Sequence, residues 1–282
     1  MTRMTSGCSL LVSALLTFPS CGGAKPAEKP AGEAADASRP AESAKPPAPA
    51  ATGFQKIGDV ADAWGALYNQ NEKAINSWDG MPIMSLVTPP LTFVGSVQFD
   101  LLNTDNKDGR FEGTLLLAGY KGFVEKAGSK ITFGYDYKRE KDGFGPTAKA
   151  GDRNTQSGSL DLSKEHYIAD DSSERAGKKI TRTYTEFKRL GDGSMICVSF
   201  SGHTINGKGD PESASDAVYI HNGKDRFDFV TANAAVGPEF QEVSFAGKGD
   251  LTKAQAVEAF KAAGFTIEQT GGVRDGKLFT DK

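Results

Sequence analysis

The feature that most constrains the fold is an alternation of apolar and polar residues, which begins after Pro89-Pro90 and recurs as far as Phe245. A period of two is typical of a β-strand with one buried face. Short connections between the alternating stretches predict an antiparallel meander. The candidate strands are 91–101, 111–117, 131–137, 158–162, 166–169, 180–190, 195–205, 217–221, 226–230 and 240–245, with a last hairpin from 265–269 and 277–280.

One turn signal predicts the pairing of two late strands. Asn222-Gly223 favours a two-residue hairpin loop because both residues tolerate a positive φ. A two-residue loop at this point pairs Val218 with Phe227, and it places these two side chains on the same apolar face.

A second turn signal bears on the single cysteine of the strand region. Asp192-Gly193, treated as the same kind of loop, pairs Phe187 with Val198. In that register Cys197 lies off the main apolar face, which leaves its burial open.

Helical spacing flanks the strands on both sides. Trp64 and Tyr68 belong to an apolar stripe that predicts an amphipathic helix over residues 56–78. Thr252 has the position of a helix cap, which predicts a short helix over residues 252–263. The expected fold class is mainly β: an antiparallel meander forming a curved sheet, a half-barrel or a sandwich, with one amphipathic helix before it and one short helix after it.

The amino terminus has the pattern of an export signal. Residues 9–18 form an apolar run of ten residues, whereas a membrane-spanning helix takes about 20. Phe18-Pro19-Ser20-Cys21 follows and resembles the bacterial lipobox, whose cysteine is diacylated and becomes the first mature residue. The resemblance implies a signal peptide over residues 1–20, an anchor on Cys21 and, with Gly22 next, the outer membrane. The alternative is a soluble secreted or periplasmic protein.

Composition separates a linker from a folded domain. Residues 21–52 are rich in Ala, Pro and alternating charge, and residues 24–52 lack aromatic and β-branched aliphatic side chains. Such a segment buries too little apolar surface to offset the entropy of ordering it. We therefore expect the acylated cysteine to be followed by a disordered linker, and residues 53–282 to form a single β-rich domain with flanking helices.

Several function classes lack support. The formal net charge of −3 argues against a nucleic-acid partner, which normally calls for a clustered basic excess. The three histidines have no metal-ligand spacing, and each is interpreted as an ordinary exposed or edge residue. Asp170, Asp171 and Glu174 are interpreted as part of a loop, and the basic stretch 175–189 as a solvated hairpin. We expect a protein that is not an enzyme and that holds no metal and no cofactor.

Two functions remain. The first is a non-enzymatic binding module in which the sheet and the first helix enclose an apolar or amphipathic ligand. Its candidate ligand-binding residues are aromatic: Trp64, Tyr68, Trp78, Phe93, Phe99 and Phe133. In arrangement only, a curved sheet with helices at both ends resembles the half-barrels of periplasmic lipoprotein carriers and acceptors. The second is a structural or protein-interaction lipoprotein, which has a fully packed core and contacts an envelope protein instead of a ligand.

Overall fold

A computed structural model describes residues 53–75, 107–114, 121–143, 148–204, 213–224, 226–235 and 251–281. These residues belong to one compact unit, Ala48–Lys282. Their eleven strands form one open antiparallel sheet in which each strand pairs with its neighbour in the chain. The predicted mainly-β meander is confirmed, as a single sheet. The candidate strands at 91–101 and 240–245 lie outside the described residues.

The described elements follow one another without a crossover. Helix α1 spans Gly58–Ile75 and precedes the strands, and helix α2 spans Lys253–Ala262 between the ninth and tenth strands. The strands are β1 Gly109–Thr114, β2 Lys121–Ala127, β3 Lys130–Lys138, β4 Arg153–Asp161, β5 His166–Arg175, β6 Lys178–Arg189, β7 Met195–Thr204, β8 Ser213–Asn222, β9 Phe227–Ala234, β10 Thr266–Arg274 and β11 Lys277–Asp281.

Polar segments extend the strands beyond the predicted limits. The interpretation of Asp170, Asp171 and Glu174 as loop residues is wrong, because β5 continues through all three. Polar cross-strand contacts accompany this extension: the Thr155 and Ser172 hydroxyls lie 2.9 Å apart between β4 and β5. Strand β2 was not predicted at all. Apolar alternation therefore located the strands but underestimated their length.

The sheet buries one face along most of its strands and the other face over β6 to β9. We call face A the surface that carries Phe133, Tyr167 and Phe187, which cluster with Trp64 of α1. We call face B the opposite surface, which α2 covers through Ala256 and Phe260, packed in one cluster with side chains of β6 to β9. Both helices therefore supply the apolar cover that a sheet with two apolar faces needs, one on each side.

The hairpin between β6 and β7 corrects the predicted register by one residue. Phe187 pairs with Cys197, not with Val198. The loop has three residues, 191–193, in which Gly193 takes a φ of +83° and the N–H of Leu190 donates to the Ser194 carbonyl. Because a one-residue shift exchanges the faces, Cys197 lies in the buried cluster on face A.

The hairpin between β8 and β9 also differs from its predicted register, but by an even number of residues. Asn222 pairs with Phe227 and Val218 with Thr231, which leaves residues 223–226 as the loop. An even shift preserves the face of every side chain. Val218 and Phe227 therefore lie on face A together, as predicted.

The carboxyl-terminal elements follow their sequence signals. Thr252 caps α2, and its side chain and that of Gln255 complete the expected capping box. The last hairpin turns at Asp275-Gly276, whose φ values of +51° and +67° suit a tight two-residue loop. The predicted helix and hairpin are both confirmed.

Candidate functional site

Two of the predicted ligand-binding residues meet in one layer between α1 and face A. The ring of Trp64 packs edge-on against Phe187 at a centroid distance of 5.1 Å, and Phe133 stacks on Tyr167 at 5.6 Å. Tyr167 and Phe187 are 6.0 Å apart and join the two pairs. We call Trp64, Phe133, Tyr167 and Phe187 the aromatic layer. All four side chains are buried, with at most 1% of their surface exposed.

The other predicted site residues lie elsewhere or outside the described part. Tyr68 is partly buried on α1 and packs at the border of the face A cluster. Burial and the nearby Glu72 carboxylate raise the pKa of its phenol. Four residues fall outside the described part of the chain: Cys21, Trp78, Phe93 and Phe99.

Two hydrogen-bond donors in the aromatic layer are buried without a partner among the described residues. These are the indole Nε1–H of Trp64 and the hydroxyl of Tyr167. Burial also raises the pKa of the Tyr167 phenol, so the hydroxyl stays protonated and remains a donor. Leaving a buried polar group unpaired costs about 1–3 kcal/mol. An oxygen atom of a water or a ligand that entered this layer would satisfy either donor.

The same face becomes polar farther along strands β3 to β7. Successive pairing places Tyr135, Gln156, Asp171, Thr183 and Ser201 side by side, and we call these five residues the polar row. The Tyr135 hydroxyl donates to the carboxylate of Asp171. Burial raises the pKa of Asp171 to about 6, opposed by the hydrogen bond from Tyr135 and assisted by the negative charge of Asp170. The polar row thus places acceptors beside the aromatic layer.

The histidines are less exposed than predicted. His221 is 4% exposed, and its Nε2 lies 2.8 Å from the Ser194 hydroxyl. This contact joins the end of β8 to the hairpin between β6 and β7. His166 contacts the buried carboxylate of Glu186 at 2.6 Å. The interpretation of His221 as an exposed or edge residue is therefore wrong. His221 lies on face B beside Ser194 of the β6–β7 hairpin, and the one-faced sequence pattern did not indicate burial on that face.

Three of the six cationic residues in the basic stretch 175–189, its arginines, form ion pairs with acidic partners. Arg175 pairs with Asp152 at 2.8 Å, and Arg182 pairs with Asp170 at 2.5 Å. Arg189 lies 3.3 Å from the carboxylate of Glu165. The remaining cations of the stretch are Lys178, which is exposed, and Lys179 and Lys188, which are partly exposed, so the ion-paired arginines and these lysines form a mixed surface.

The described residues contain neither a candidate metal site nor a candidate membrane-spanning helix. In the ranges given above, no group of three histidine, cysteine, aspartate or glutamate side chains has the geometry of a metal site. Neither described helix combines the length and the apolar character that crossing a membrane would take. Comparison with protein families, with characterised proteins and with solved structures finds no match for this chain.

The sequence alone did not indicate Tyr167, Gln156 or Asp171 as site residues. Tyr167 lay within a predicted strand, but its burial against Phe133 depends on strand pairing. Gln156 preceded its predicted strand, and Asp171 was assigned to a loop. Residues 153–157 and 170–175 are polar at every position, so the sequence offers no apolar alternation there, and the strand period appears only in the burial pattern of the structure.

Proposed function

We propose that this protein is a non-enzymatic binding module of the cell envelope, anchored through acyl chains on Cys21, and that it binds an apolar or amphipathic ligand between α1 and face A. The observation that carries the proposal is the pair of buried donors in the aromatic layer, Trp64 Nε1–H and the Tyr167 hydroxyl, which have no partner in the described part of the chain. In a core with no ligand role, apolar groups at these positions would avoid that cost.

The composition of the layer favours a ligand that is mostly hydrocarbon. Aromatic rings supply large apolar contact surfaces, and a small number of placed polar groups fixes the orientation of a bound molecule. Trp64 comes from α1, whereas Phe133, Tyr167 and Phe187 come from the sheet. A ligand held between them would separate two elements that are far apart in the chain, and α1 would act as its cover.

The anchor and the linker belong to the same proposal. Acylation of Cys21 would hold the protein on the outer membrane, and residues 22–52 would let the domain move away from the surface. An extended Pro-rich chain spans about 3.1 Å per residue, so this segment reaches on the order of 90 Å. A tethered binder with that reach suits a ligand that is delivered to or taken from a membrane.

A packed protein-interaction lipoprotein is the second candidate. The full burial of Trp64 and Phe133 favours it, because side chains that already fill a core need no ligand to cover them. The two candidates differ in what the unpartnered donors do. In the packed protein they are a tolerated cost, and in the binding module they hold the ligand.

The test is the binding of a fluorescent fatty acid to the full chain carrying Cys21→Ala, purified without detergent, together with native mass spectrometry of the envelope-extracted protein. We expect saturable binding and a co-purifying lipid mass. Tyr167→Phe should weaken binding about fivefold or more, as expected for one lost hydrogen bond. Tyr219→Phe is the matched control, because its hydroxyl lies on face B and donates to the Leu251 carbonyl at 2.7 Å. Absence of saturable binding in the folded protein would favour the packed alternative.

A further inference from the structure

The polar row contains a buried acceptor that lacks a partner in the described part of the chain. Gln156 is 6% exposed and lies between Tyr135 and Asp171 on face A. Its Oε1 atom accepts no hydrogen bond from a described residue. The next amide on the same strand, that of Asn154, accepts from the Ser173 hydroxyl at 2.7 Å. Of these two β4 amides, Gln156 is therefore the one whose oxygen has no partner among the described residues.

Asp171 beside it is a carboxylate without a cationic partner among the described residues. Its described contacts are the donated hydrogen bond from Tyr135 and the repulsive charge of Asp170. The two described arginines at this end of the sheet contact other groups: Arg139 donates through Nη2 to the Tyr137 hydroxyl at 3.1 Å, with its Nε unpartnered in the described part of the chain, and Arg175 pairs with Asp152. A partly buried carboxylate normally pairs with a cation or with several donors.

The polar row directly continues the apolar surface. Tyr135 follows Phe133 by two residues on β3, and Asp171 follows Ala169 by two residues on β5, so each pair shares face A. Two residues along a strand span about 6.6–6.8 Å. A chain-like ligand lying on the apolar part of face A would therefore have one end within reach of the acceptors of the polar row.

We infer that Gln156 and Asp171 bind the ammonium group of an amine-bearing amphipathic ligand whose hydrocarbon part occupies the aromatic layer. An ammonium group has three donors and one positive charge. It would satisfy the amide oxygen of Gln156 and the free carboxylate oxygen of Asp171 together. Charge-assisted hydrogen bonds of this kind are about twice as strong as neutral ones. An anionic head group would instead meet a carboxylate and an amide oxygen.

This inference rests on the proposed function, and the experiment separates the two. Three probes with the same chain and different head groups are compared below their micelle concentrations: dodecylamine, dodecanol and dodecanoate. Binding to the Cys21→Ala chain is measured at pH 8, well above the pKa of Asp171, which burial raises to about 6. We expect dodecylamine to bind most tightly and dodecanoate least tightly.

Asp171→Asn should lower dodecylamine affinity about tenfold and leave dodecanol affinity unchanged, because it removes the charge and keeps the shape. Gln156→Leu is a second variant, which removes the amide oxygen together with the amide donors of the side chain, and it should lower dodecylamine affinity in the same direction. Asp136→Asn is the matched control. Asp136 follows Tyr135 on β3, points to the opposite face and pairs with Arg153 in an exposed position.

Each outcome decides one point. A head-group preference that Asp171→Asn abolishes and Asp136→Asn preserves supports the inference. Equal binding of the three probes, or tighter binding of dodecanoate, refutes the ammonium assignment and leaves the proposed function standing. Failure of all three probes to bind the folded protein refutes the proposed function itself. Competition by ethylamine as strong as that by dodecylamine refutes a lipid-like ligand, because a free amine would then suffice.

Discussion

Replacing Tyr167 by phenylalanine is expected to stabilise the ligand-free protein. The Tyr167 side chain has no exposed surface, and its hydroxyl has no hydrogen-bond partner among the described residues. Folding then removes the hydroxyl from water without a replacement bond, at a cost of about 1–3 kcal/mol. Phenylalanine keeps the ring that stacks on Phe133 at 5.6 Å and removes that cost.

The expected gain is about 1 kcal/mol or more in the free energy of unfolding. For a domain of this size, 1 kcal/mol corresponds to about 2–4 °C in Tm. The assay is urea denaturation and calorimetry of delipidated protein, since a bound ligand would satisfy the hydroxyl and hide the gain. Tyr219→Phe gives the opposite sign, because it removes the 2.7 Å hydrogen bond to the Leu251 carbonyl and should cost about 1 kcal/mol.

The comparison of the two variants decides whether the reasoning holds. If Tyr167→Phe destabilises the delipidated protein as much as Tyr219→Phe does, the Tyr167 hydroxyl has a partner in the folded state. The unpartnered donor would then no longer support a ligand site. An unchanged m-value in both variants is required for the comparison, since it shows that the unfolded state is the same.

Three further outcomes are expected. Gly158→Ala should destabilise the protein by about 1–3 kcal/mol in urea denaturation, because a Cβ there would overlap the ring of Phe133; an unchanged midpoint would contradict the close packing. The pKa of Asp171 is raised from 3.8 to about 6, so the folded state binds more protons than the unfolded state, and the free energy of unfolding should fall by up to about 3 kcal/mol as pH rises from about 4 to 6. Asp171→Asn should remove this pH dependence, and an identical pH profile in the variant would show that Asp171 does not cause it. Mass spectrometry should find acyl chains on Cys21 and none after Cys21→Ala, whereas an unlipidated mature terminus beyond Cys21 would reject the anchor.

The sequence predicted the architecture because the apolar alternation depends only on residues within one strand. It placed a meander between two helices, the stripe that carries Trp64, and the cap of α2 at Thr252. Strand ends without apolar residues were missed because their cross-strand partners are polar. The hydroxyl pair of Thr155 and Ser172 becomes visible only once β4 and β5 are aligned.

Register was less predictable because it depends on the number of residues in each loop. A three-residue loop before Met195 moved Cys197 from the expected face to the buried cluster on face A. The polar row has the same dependence, since Gln156 and Asp171 become neighbours only through the pairing of β4 with β5. No sequence pattern indicates an unpartnered hydroxyl such as that of Tyr167, because it is defined by what its surroundings lack.

The most direct test of a ligand between α1 and face A is the fluorescence of Trp64. The chain has two tryptophans, so Trp78→Phe leaves Trp64 as the sole indole emitter. This variant, carrying Cys21→Ala, is titrated with dodecyl probes that bear bromine near the chain end, since bromine quenches indole emission on contact. We predict saturable quenching that unbrominated dodecyl probes reverse by competition and that Tyr167→Phe shifts to higher probe concentration. Binding of the probe without quenching of Trp64, or no saturable binding at all, would contradict the proposed site.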